Sequence, residues 1–134
     1  MSWIEAVHGL EGVDAVFSGA IPPLTRVELH SVTFGHGGDV RLVFDLASYP
    51  SRPPEKWAKQ GFNTVQLTLV CTQVRDVRVT GWARQVIADI VIGRVDEAVE
   101  VRVLSPATSL TLSADIVSVV SVAAYLNDPS RACW

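Results

Sequence analysis

VRLVFDL, Val40 to Leu46, alternates without a break. Val40, Leu42, Phe44 and Leu46 share one side, and Arg41, Val43 and Asp45 share the other. Successive side chains of a strand point to opposite faces. The stretch therefore predicts a strand with one face on a core, and Asp45 on its polar face. The same alternation spreads outward in both directions. Upstream, RVELHSVTF runs in phase through Val27 and Leu29, then slips to Val32 and Phe34. A phase slip inside a strand predicts a bulge near His30 and Ser31. The glycines of GHGGD then make a turn, so the two strands read as a hairpin.

Downstream, NTVQLTLVC places Val65, Leu67, Leu69 and Cys71 on one face. RDVRVTGW puts Val77 and Val79 inward, VIADIVI gives Val86, Ala88, Ile90 and Ile92, and AVEVRVL gives Val99, Val101 and Val103. SLTLSA adds Leu110 and Leu112. The run from Asp115 to Tyr125 is apolar on both sides, which predicts a central strand covered on both faces. About eight strands with short turns predict a mainly β, antiparallel sheet protein, folded as a sandwich or as a strongly curved sheet.

The N-terminal segment is different. Ser2 and Glu5 have capping-box spacing, and Trp3, Ile4, Val7 and Leu10 lie at helical spacing. Gly9 and Gly12 should stop this helix early, and the prolines of SGAIPPLTR predict an extended arm to about residue 25. Residues 127–134 read as a flexible tail. The 134 residues suit a single domain with one core.

At 49% hydrophobic and 19% charged, the chain is too apolar to be disordered. A net charge of -3 argues against a nucleic-acid binder. The start lacks the charged, apolar and cleavage-site regions of a secretory leader, and the longest apolar run is short and broken by serines. A cytoplasmic location away from membranes is expected. Of the two cysteines, Cys71 falls on an inward face, where burial makes a thiol inert, and Cys133 lies in the tail.

Motifs for chemistry are scarce. His30 and His36 flank a turn at a spacing used by no common metal motif, and His8 is far along the chain, so no metal and no cofactor are expected. There is no nucleophile elbow, and GHGGD lacks the Lys and Ser/Thr of a phosphate loop. Catalytic residues are expected to be none. An enzyme would need dispersed groups such as His30, Asp45 and Asp89 to converge. The acids Asp89, Asp96, Glu97, Glu100 and Asp115 gather in the second half of the chain, where they offer an acidic face to a basic partner or plain solubility.

YPSRPPEKWAKQG, Tyr49 to Gly61, interrupts the strand pattern. Pro53 and Pro54 end the strand, and Glu55 to Gln60 predicts about one helical turn with Pro54 at its first position. RPPEKW is also compatible with a polyproline ligand, although such ligands normally sit in flexible tails. Trp57 reads either as a plug over the end of the sheet or as an interface anchor. Trp82, after Gly81, poses the same choice.

These motifs together resemble one family. VHGLEGVDAVF, IPPLTRVELHSV, VFDL, YPSRPPEKWAKQGFNTVQLTL, VRDVRVTGW and DIVSVVSVAAY are similar to the Immunity protein 50 family of bacterial polymorphic-toxin systems. The resemblance runs from about Trp3 to Tyr125. Its most specific parts are Pro53-Pro54-x-Lys56-Trp57 and Gly81-Trp82. It implies a small, cytoplasmic, non-catalytic protein, monomer or homodimer, that binds a cognate toxin domain encoded by a neighbouring gene and blocks it. The candidate contacts are Arg52, Lys56, Trp57, Trp82, Asp89 and Glu100. A β module that binds a small ligand without catalysis is the alternative, and it predicts a pocket lined by inward residues.

Overall fold

The computed structural model describes residues 3–127. The strands follow the alternation closely. β1 (Val27–Phe34), β2 (Val40–Asp45), β3 (Thr64–Thr72), β4 (Arg75–Thr80), β5 (Val86–Val95), β6 (Ala98–Leu104), β7 (Ser109–Ala114) and β8 (Ile116–Tyr125) form one sheet. Its order is β4-β7-β6-β5-β1-β2-β3-β8, every pair is antiparallel, and the sheet does not close. Short links between β3 and β4 and between β7 and β8 join strands from opposite ends of that order. The sheet is therefore strongly curved, with its inner faces turned together. β1 and β5 join its two halves through only Val27, Leu29 and the residue between them.

The inner face is the core. Leu42, Phe44, Val65, Leu67, Leu69, Val101 and Val103 are wholly buried in one cluster with residues of both halves. Burying each such side chain contributes about 1.5–3 kcal/mol. Cys71 belongs to this layer, and burial pushes its thiol up to about 12, which leaves it protonated and inert. The predicted bulge is present: the register shifts between Leu29 and Ser31, so His30 and Ser31 together face Val43. Cys133 and nearly all of the expected tail lie outside the described residues. Asn127 is tied to Asn63, whose Oδ1 accepts the Asn127 N–H at 2.8 Å.

The N-terminal helix is placed differently from its prediction. Trp3–Ala6 makes only a 3-10 turn, and the helix α1 is Glu11–Phe17. Between them the chain pairs with β8. The His8 N–H donates to Val117 O at 2.9 Å, and the Val119 N–H donates to His8 O at 2.9 Å. Gly9 does stop the first turn. Its φ is +77°, and a Cβ there would lie 2.5 Å from Val119 O. Gly12 does not stop a helix; it sits inside α1 and lets the helix approach Val122, 3.3 Å from where its Cβ would be. The expected capping by Ser2 falls outside the described residues.

β8 corrects a second expectation. It lies at an end of the sheet, bonded along its length only to β3. Its register shifts between Thr68 and Leu69 of β3, which leaves Val120 out of the pairing. Val120 is 52% exposed and Ile116 is 45% exposed, so the second apolar face is not covered by a further layer. What protects this edge is the His8 bridge.

Candidate functional site

Asp45 ends β2 on the polar face that the alternation predicts, yet it is only 4% exposed. Its neighbours explain the burial. Gln66 is its cross-strand partner on β3 and donates from Nε2 to Oδ1 at 3.1 Å. The Tyr125 hydroxyl, from the end of β8, donates to Oδ2. His30, turned outward at the bulge, places Nε2 at 2.7 Å from Oδ2. Glu28 stands directly opposite Asp45 on β1. A carboxylate removed from water needs such partners. Burial, the hydrogen bond to Asp45, and the charges of Asp45 and Glu28 raise the Tyr125 phenol above its usual range, so it remains a donor.

His30 and Asp45, weighed from the sequence as an enzyme-like pair, thus do meet. Asp89 does not join them. It is exposed, and its Oδ1 accepts the N–H of Arg26 at 2.9 Å, which holds that residue in the left-handed region at φ 55°. Gln66, Tyr125 and Glu28 were missed from the sequence. Their only signal is register, since each reaches Asp45 through strand pairing rather than through a motif.

A second feature lies where the core runs out. β5 bonds to β1 only as far as Leu29, so Ser31 to Phe34 pair with β2 alone. β4 ends the sheet on its other side. Val79 keeps its predicted inner face, opposite the buried Leu110, but there is no cover beyond it and it is 46% exposed. Phe34, opposite the buried Val40, is 58% exposed for the same reason. Trp82 is 55% exposed. These three side chains, with His30, Ser31 and Val32, line an open groove of about 330 Å³. Gly81 makes the corner. Its φ is +75°, and a Cβ there would stand 2.1 Å from Ala107 O.

The other expected contacts scatter. Helix α2 is Glu55–Gln60 as predicted, with Pro54 one place earlier, as its cap. Trp57 is half-buried against the core, its ring 6.4 Å from that of Tyr49. Arg52 and Lys56 are exposed nearby. Lys59 pairs with Glu55 at 3.1 Å, and with both side chains exposed this adds little. Glu100 is half-buried and shares a concavity with Asp96, Glu97, Asp115 and Arg75, the last two paired at 2.8 Å.

No helix among the described residues is long and apolar enough to cross a membrane. No curated protein and no solved structure matches the chain. Residues 10–125, which include the whole sheet and its groove, match the family described as Immunity protein 50, and the chain belongs to that family.

Proposed function

We propose that this protein neutralises a cognate toxin domain by binding it and covering its active surface, with the groove at Phe34, Val79 and Trp82 as the docking site. Membership of an immunity family makes toxin neutralisation the general role. The observation that carries the docking surface is the uncovered inner face at the end of the sheet, where these three large apolar side chains are about half exposed around one groove. Contiguous exposed apolar surface marks interaction sites. Trp is the residue most enriched at binding hot spots. The unpaired edge of β1 beyond Leu29 also offers backbone groups to an extended segment of the partner. A rigid sheet is pre-organised, which lowers the cost of association.

Inhibition in this reading is occlusion, without catalysis, in the cytoplasm. Asp96, Glu97 and Glu100 add attraction for a basic toxin and make association salt-sensitive. Trp57, Lys56 and Arg52 form a separate corner, and Asp89 is engaged with the backbone, so Trp82 is the anchor among the expected contacts.

Co-expression with the toxin domain encoded by the neighbouring gene tests this reading. The protein should restore growth and form a stable complex. Trp82→Ala should weaken the complex by about 30-fold, equivalent to about 2 kcal/mol, while the thermal midpoint of the free protein stays unchanged. Unrelieved toxicity would overturn the immunity role for that pair. An undiminished complex with the variant would remove the groove from the interface.

A further inference from the structure

We propose that Glu28, His30 and Asp45 bind a divalent transition-metal cation, with Zn2+ as the fitting ion. The ligand atoms of these three side chains lie within 4.8 Å of one another. They come from two adjacent strands and one bulge, so the backbone itself holds them together. Glu28 and Asp45 are directly opposed across β1 and β2, an arrangement in which like charges repel. Asp45 is buried, which makes the repulsion between the two carboxylates costlier, and among the described residues the side chains that touch them are Gln66, Tyr125 and His30 on Asp45 and Gln85 on Glu28. Among the described residues, no lysine or arginine forms an ion pair with either carboxylate. A cation seated between them would supply the missing positive charge.

The donor set suits the ion. One imidazole and two carboxylates match the mixed nitrogen and oxygen preference of Zn2+ rather than the all-oxygen shell of Ca2+ or Mg2+. Alternation along β1 puts His30, two residues beyond Glu28, on the face that carries Glu28, and the bulge at His30 and Ser31 lies beside it. Gln66 and Tyr125 hold both oxygens of Asp45 from the β3 and β8 side, as outer partners orient a ligating carboxylate. The His30 side chain is 40% exposed, so an ion can enter from solvent and leave its remaining positions to water. On binding, the His30–Asp45 hydrogen bond is replaced by a bond from each group to the metal, and any proton on the imidazole is released. This inference stands on the strand register and is independent of the toxin reading.

The test is a titration of the full chain with Zn2+ alone. The protein carries no polyhistidine tag and is first stripped with a chelator. Isothermal calorimetry should show saturable binding, with a rise in the thermal midpoint. His30→Ala and Glu28→Gln should each weaken binding by about tenfold or more. Both variants should keep the circular dichroism of the parent, so a misfolded His30→Ala leaves Glu28→Gln to decide. Co2+ in place of Zn2+ should give visible absorption that His30→Ala alters. Absence of saturable heat overturns the proposal. So does binding of unchanged affinity in both variants, which would put the ion elsewhere.

Discussion

Trp57 lies half-buried against the core beside Tyr49, whereas Trp82 stands 55% exposed at the rim of a groove. Both follow a strand and a backbone breaker, and the local sequence offers the same choice for each. The difference arises from what lies across from them. From α2 the Trp57 indole reaches the core and the Tyr49 ring. Gly81 turns the chain at the end of an edge strand, where the inner face of β1 beyond Leu29 has lost its partner. Trp57 thus packs on the core from a helical turn, whereas Trp82 projects where the sheet stops.

The largest effect should come from the hinge of the exposed corner. Gly81→Ala combines a left-handed φ with a Cβ placed on Ala107 O, and it should lower stability by about 3 kcal/mol, read by chemical denaturation. An unchanged midpoint would mean that this corner is not held as described. Trp57→Ala comes next. A fully buried aromatic costs about 3–5 kcal/mol, so a half-buried one should cost about 2 kcal/mol, with toxin affinity little altered. If Trp57→Ala instead weakened binding and left stability intact, the two tryptophans would exchange roles.

The smallest change sharpens the comparison from the buried side. The Tyr49 hydroxyl is buried with no hydrogen-bond partner among the described residues. Tyr49→Phe should therefore cost nothing and stabilise by up to about 1 kcal/mol. A clear loss would show that the hydroxyl has a partner and that the Trp57 corner is more polar than its ring contact suggests.

Strand-level features were legible from the sequence because alternation is local. Val40, Leu42, Phe44 and Leu46 each declare a face through their immediate neighbours, and all four are buried. The slip at His30 and Ser31 announced the bulge in the same way. The family, too, was carried by short local stretches, Pro53 to Trp57 and Gly81-Trp82 among them. The candidate sites were not legible to the same degree. Asp45 looked like any solvated strand acid, because Gln66 is 21 residues away and Tyr125 is 80 residues away.

What the sequence by itself determined is which residues face inward along the alternating strands β2, β3, β5, β6 and β7, since the geometry of an extended chain leaves little choice. Where each strand sits in the sheet was decided only by tertiary structure. β8, apolar on both sides, became an edge, and β4 became the other, because position depends on pairings between segments far apart in the chain. That placement left Phe34, Val79 and Trp82 uncovered and brought His30, Glu28 and Asp45 together. Burial and proximity are properties of neighbours, and the neighbours are chosen by the fold.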